Sequence, residues 1–152
     1  MNHLSKPLLV TSWVLQIVAA FILGQSLFFK LTGAAETIAL FEVLGAEPLG
    51  RYATAGAELV AVALLLIPRT AVIGAVLSLG VISGAIMAHL TKLGISIDPQ
   101  KLGNPDLEAL AGPSLFVMAV VVFASSLGVI VIRRTQLPWI GSKLGGGGAD
   151  SA

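Results

Sequence analysis

Four long apolar segments, at residues 8–29, 52–67, 71–93 and 113–132, fill most of this chain. A helix needs about 20 apolar residues to cross the hydrocarbon core of a bilayer. Inside that core every backbone polar group must be satisfied internally, which leaves helices and closed barrels. The segments therefore predict an all-α integral membrane four-helix bundle over residues 1–140. The second segment is short, so it is expected to tilt little or to begin a turn earlier. Composition agrees: 56% of residues are hydrophobic and 11% charged, where a soluble domain carries about 25% charged residues. The first segment is longer than the about 7–15 residues of a signal-peptide apolar region, and further spans follow it, so it reads as a retained helix.

Orientation comes from Lys and Arg. One side holds Lys6, Arg69, Arg133, Arg134 and Lys143; the other holds Lys30, Arg51, Lys92 and Lys101. The Arg133-Arg134 pair directly after the fourth segment favours cytoplasmic N- and C-termini, and Glu36, Glu42, Glu47, Asp98, Asp106 and Glu108 all fall in the opposite, outer loops. In the first outer loop Ile38, Phe41 and Leu44 share one helical face before Gly45, which predicts a short amphipathic interfacial helix over residues 34–44. The second outer loop has turn chemistry at Asp98-Pro99 and Asn104-Pro105. Pro68-Arg69 joins the second and third segments so tightly that they must be antiparallel neighbours. Gly80-x-x-x-Gly84 with Ala88, and Ala53, Ala57 and Ala61, offer small-residue faces for their contact. Trp139 is expected to anchor at the head-group level, and the Gly-rich residues 141–152 are expected to form a flexible tail.

Three ionisable residues interrupt this apolar pattern: Lys30, Glu58 and His89. An ionisable group at membrane depth is costly unless partnered, and so points to function. Lys30 lies at the outer end of the first segment, Glu58 about two turns into the second and His89 about one turn from the outer end of the third. Side chains lean toward the N-terminus of their own helix, so all three are expected to converge on one layer in the outer half of the bilayer. At about 100° per residue, Ser26 and Gln16 share the face of Lys30, Ser78 that of His89, and Thr54 and Arg51 that of Glu58. The candidate ligand-binding residues are therefore Lys30, Glu58, His89, Ser26, Ser78 and Thr54.

Two arrangements of these groups are open. In one, Lys30 and Glu58 pair and His89 adds a hydrogen bond, giving a site for a quinone or lipid head group, or for a proton. In the other, Lys30 reaches the interface, Glu58 pairs with Arg51, and His89 bonds a loop carbonyl. Metal-site spacing is lacking, as are a nucleophile motif and a second buried histidine for haem, so no self-contained catalytic or redox centre is visible. The absence of cysteine removes disulfides, thiol relays and Cys-ligated metals, and a net charge of +1 leaves no basic surface for nucleic acid.

Several stretches resemble the DoxX family of small bacterial membrane proteins. LQIVAAFILG from Leu15 to Gly24 and FKLTG from Phe29 to Gly33 are similar to its first helix, and AETIALF from Ala35 to Phe41 to its following short helix. GAEL from Gly56 and LLLIPR ending at Arg69 are similar to its second helix and turn, and GAIMAHL from Gly84 to Leu90 to its third. The resemblance covers roughly residues 13–134, and the family's recurrent polar positions fall on Lys30, Glu58 and His89. It implies a four-helix bundle in a bacterial inner membrane and an accessory subunit near quinone or thiol redox chemistry. Some relatives are subunits of a thiosulfate:quinone oxidoreductase; the lack of cysteine argues against direct sulfur transfer by this chain. A membrane protein partner or a homo-oligomer is expected. The alternative is a structural or assembly subunit that packs against larger membrane proteins with no ligand of its own.

Overall fold

Pro7 and Gly33 bound the first helix. Proline is tolerated in a first turn, where its missing N–H costs nothing, and Gly33, at φ 66°, takes the left-handed conformation that ends a helix and donates its N–H to Phe29 O. Between them α1 runs over Lys6–Thr32. The computed structural model describes residues 4–136, so Trp139 and the Gly-rich tail lie outside the described residues. Three more long helices follow: α3 (Leu49–Leu66), α4 (Ala71–Ala88, prolonged by a π-helical turn at His89–Leu93) and α6 (Ser114–Ile132). These four are long and apolar enough to cross a membrane. Shorter helical pieces, α2 (Ala35–Val43), α5 (Pro99–Leu102) and a 3-10 segment at Pro105–Leu110, fill the connections. Among the described residues the chain is all-helical, with one isolated bridge between Ile97 and Gly112.

α3 begins at Leu49, a turn earlier than residue 52, as its short apolar run allowed. It ends before Pro68, whose ring disfavours helical geometry in the preceding residue; Ile67 is extended at φ −96°, ψ 118°. Thr70 then donates to Leu64 O at 3.0 Å, and α4 starts at once.

α1 packs against α3 and α6, and α4 packs against the same two, so α1 and α4 face each other diagonally. The core between them is rich in small residues: Ala19, Ala20, Ala61, Ala71, Ala75 and Ala119, filled out by Leu23, Leu65, Ile82, Val122 and Val129. Small residues let helix backbones approach where lipid supplies no hydrophobic drive. The outward faces are apolar too, with Phe21 71% exposed and Val10, Met87, Leu90 and Val131 similarly bare. Such a surface suits lipid and would be an aggregation hazard in water.

The expected small-residue contact is relocated. Gly80 and Gly84 point outward, and a Cβ on either would meet nothing within 4 Å. Ala53 is exposed and Ala57 half-buried; of that stripe Ala61 alone is buried. The close approach is at Gly74, where a Cβ would lie 2.5 Å from Leu65 N and 2.8 Å from Leu64 C. The turn at 67–70 is so short that the helices must touch beside it. The helical period then buries Ala71, Gly74, Ala75, Ser78 and Ile82 and turns Gly80 roughly to the opposite face.

The two long connections meet at one end, here termed the cap. Ala39 of α2 packs with Ile97 and Leu107, and Leu40, Val43, Leu102, Leu110 and Leu115 surround them. The Asp-Pro and Asn-Pro turn signals prove to be consecutive helix caps. Asp98 Oδ1 accepts from the N–H groups of Gln100 and Lys101, and Asn104 Oδ1 from that of Asp106. The opposite end, with the 67–70 turn, the start of α1 and the end of α6, is termed the turn end.

Candidate functional site

Lys30 stands in the last turn of α1, where a cation is favoured by the helix dipole. Ser26 lies one turn before it on the same face. Across the α1–α3 contact, Glu58 projects toward both. Lys30 Nζ is 2.5 Å from Glu58 Oε1 and 2.7 Å from Ser26 Oγ, and Ser26 Oγ donates to Glu58 Oε1 at 3.4 Å. The side chains of Lys30 and Glu58 are 11% and 5% exposed. Phe41 of α2 covers the ammonium, its ring centroid 5.9 Å from Nζ. One oxygen of the carboxylate is thus shared between two donors, while Glu58 Oε2 is buried with no hydrogen-bond partner.

Arg51 does not pair with Glu58. Side chains lean toward the helix N-terminus, and Arg51 turns back to Glu47, its Nε 2.9 and 3.0 Å from the two carboxylate oxygens. Its Nη1 donates to the Lys30 carbonyl, tying α3 to the end of α1 beside the ion pair. Tyr52 stacks on the guanidinium at 4.4 Å.

His89 is buried but not joined to the pair. Its Nδ1 lies 2.8 Å from Gly94 O. A carbonyl can only accept, so Nδ1 carries a proton and donates. The ring meets Phe116 of α6 edge-on, with centroids 5.6 Å apart. The π-helical turn is what returns the Gly94 carbonyl to the imidazole. Of the six candidate residues, three are brought together: Lys30, Glu58 and Ser26. Thr54 Oγ1 donates to Gly50 O at 2.8 Å and Arg51 O at 3.1 Å, within its own helix. Ser78 is fully buried and shares a 2.9 Å hydrogen bond with Ser126, joining α4 to α6.

Three features of the structure go beyond the sequence reading. Phe41 and Arg51 close around Lys30, and their spacing in sequence carries no sign of it. Ser126 is the partner of Ser78 across 48 residues. At the turn end, Ser12, Gln16 and Arg133 form a separate buried polar cluster. Gln16 shares an azimuth with Lys30 but lies about 21 Å along the helix from it. The Ser12 and Gln16 spacing of four was the one local signal for that cluster.

Among the described residues no group of three His, Cys, Asp or Glu side chains could hold a metal ion. What the site can do is accept a hydrogen bond. Glu58 Oε2 is an acceptor held in place by an ion pair, in surroundings from which water is excluded. A hydroxyl or ammonium group of a molecule in the bilayer is the complementary partner. Comparison of the chain with protein-family models, with curated proteins and with solved structures finds no match.

Proposed function

We propose that this chain is a DoxX-like accessory subunit of a membrane redox complex, with a quinone or lipid head-group site at Lys30 and Glu58. On this reading it is a four-helix bundle in a bacterial inner membrane, both termini are cytoplasmic, and α2 lies at the outer interface above the site. The observation that carries it is Glu58 Oε2, a buried carboxylate oxygen without a partner. Leaving a buried acceptor unsatisfied costs about 1–3 kcal/mol, and more for a charged group. A ligand hydroxyl, such as that of a reduced quinone, removes that cost. The electron chemistry belongs to the bound quinone and to a partner protein; this chain supplies binding and orientation.

The test is native mass spectrometry of the protein, gently solubilised from its host membrane, with Glu58→Gln beside it. A quinone-sized adduct on the wild type that is lost in Glu58→Gln is the expected result. An adduct retained equally by both overturns the assignment of Glu58.

The outward Gly80 and Gly84 favour a second reading. Small residues on a lipid-facing surface let a partner helix approach closely, as a structural or assembly subunit would need. A ligand-free wild type recovered only inside a larger assembly, with Glu58→Gln lowering thermal stability alone, favours that reading.

A further inference from the structure

We infer that the turn end holds a site for a phosphate-type anion, with Arg133 as its buried donor. Arg133 closes α6, and its guanidinium is drawn inward until the residue is 2% exposed. Nε donates to Ser12 Oγ of α1 at 2.5 Å, and Nη1 to Pro68 O of the α3–α4 turn at 3.1 Å. Three separate parts of the chain therefore converge on one cation, and both acceptors are neutral. Nη2 is buried with no acceptor among the described residues. Burial lowers the pKa of this group from its usual value, yet a guanidinium starts so high that it stays charged. A buried charge without a counter-ion is costly, and such groups ordinarily imply an unseen ion or water.

The surroundings select an anion. Lys6, Arg69 and Arg134 are exposed at the same end. Every carboxylate among the described residues lies from mid-span to the cap, so none reaches Arg133. The long helices α1 and α4 both start at this end, presenting the positive ends of their dipoles. Gln16 donates from Nε2 to Ser12 Oγ at 2.7 Å and to Ser12 O at 3.0 Å, which fixes its amide orientation and binds Ser12 into the same cluster. A tetrahedral oxyanion has an acceptor for the unfilled Nη2 donor. A phospholipid head group and free phosphate share that chemistry, and the guanidinium fork matches it. This site is at the opposite end from Lys30 and Glu58 and does not depend on them.

The experiment uses the full chain in a maltoside detergent, which carries no phosphate. Phosphatidylglycerol is added in one arm and inorganic phosphate in another, and thermal midpoint and lipid retention in native mass spectrometry are read. Phosphatidylglycerol is expected to raise the midpoint and to remain as a discrete adduct. An equal rise with inorganic phosphate supports the site with the free anion as its ligand. No rise in either arm, on the wild type itself, overturns it. Arg133→Lys keeps the charge but loses the fork, and is expected to weaken retention about tenfold or more, the scale of one charge-assisted hydrogen bond. If the exposed neighbour Arg134→Gln weakens it as much, the attraction is a diffuse surface effect and the built site is refuted.

Discussion

Gly74 and Gly80 occupy one helix and do opposite things. A methyl group at Gly74 would strike the backbone of Leu64 and Leu65, which cannot swing aside as a side-chain tip can. Gly74→Ala is expected to push α3 and α4 apart and to cost about 1–3 kcal/mol, the usual range for overpacking. Thermal unfolding in detergent checks this: a midpoint unchanged from wild type would show that the contact is looser than the structure has it. Gly80→Ala meets open space and is expected to leave the isolated chain as stable as wild type. From the sequence the two glycines could not be ranked, because a small-residue spacing identifies a helix face only after the neighbouring helix is placed. The polar residues divide in the same way. Lys30 and Glu58 were legible as costly charges in apolar segments. That Glu58 would choose Lys30 over Arg51 was left open by the sequence and was settled by the direction in which each side chain leans.

Among the elements, the second connection at the cap departs most from the turns that the sequence outlined. The 94–113 connection is two short helical pieces, each opened by a capping side chain and a proline, and its ends are tied by the Ile97–Gly112 bridge. Its Leu107 is fully buried against α2. Removing the first cap by Asp98→Ala is expected to cost about 0.5–2 kcal/mol. Faster hydrogen exchange at the Gln100 and Lys101 amides, with the long helices unaffected, is the expected signature. Slow exchange retained at both amides would mean that packing, not the cap, holds this element. The π-helical turn at His89 is the other departure. Hydrophobic period predicts a continuous segment to residue 93 and does report its extent. It cannot report a change of hydrogen-bond spacing within that segment, and that change is what commits the histidine to Gly94.

The whole molecule is polar at its two ends in different ways. Among the described residues, the acidic side chains lie from mid-span to the cap end, with the Lys30–Glu58 pair, and the turn end gathers cations with no carboxylate partner. With no cysteine in the chain, a single introduced thiol reports alone. Ser5 and Gln100 are exposed and separated by three long helices. On intact cells a membrane-impermeant maleimide is expected to label Gln100→Cys and to reach Ser5→Cys only after permeabilisation. Labelling of both from the same side would refute the three intervening crossings. By itself the sequence determined the number of long apolar helices and their approximate bounds, because backbone hydrogen bonding in an apolar medium leaves few alternatives to a helix. It also determined which charges needed an explanation, because a charge among apolar residues is visible one residue at a time. Which distant residue partners a buried polar group was decided only by the tertiary structure. Serine to serine across α4 and α6, arginine to the serine of a helix formed from the other end of the chain, and an aromatic ring over an ammonium are relations between distant segments. Their energies depend on distances of a few ångströms, which helix packing fixes and local sequence does not encode.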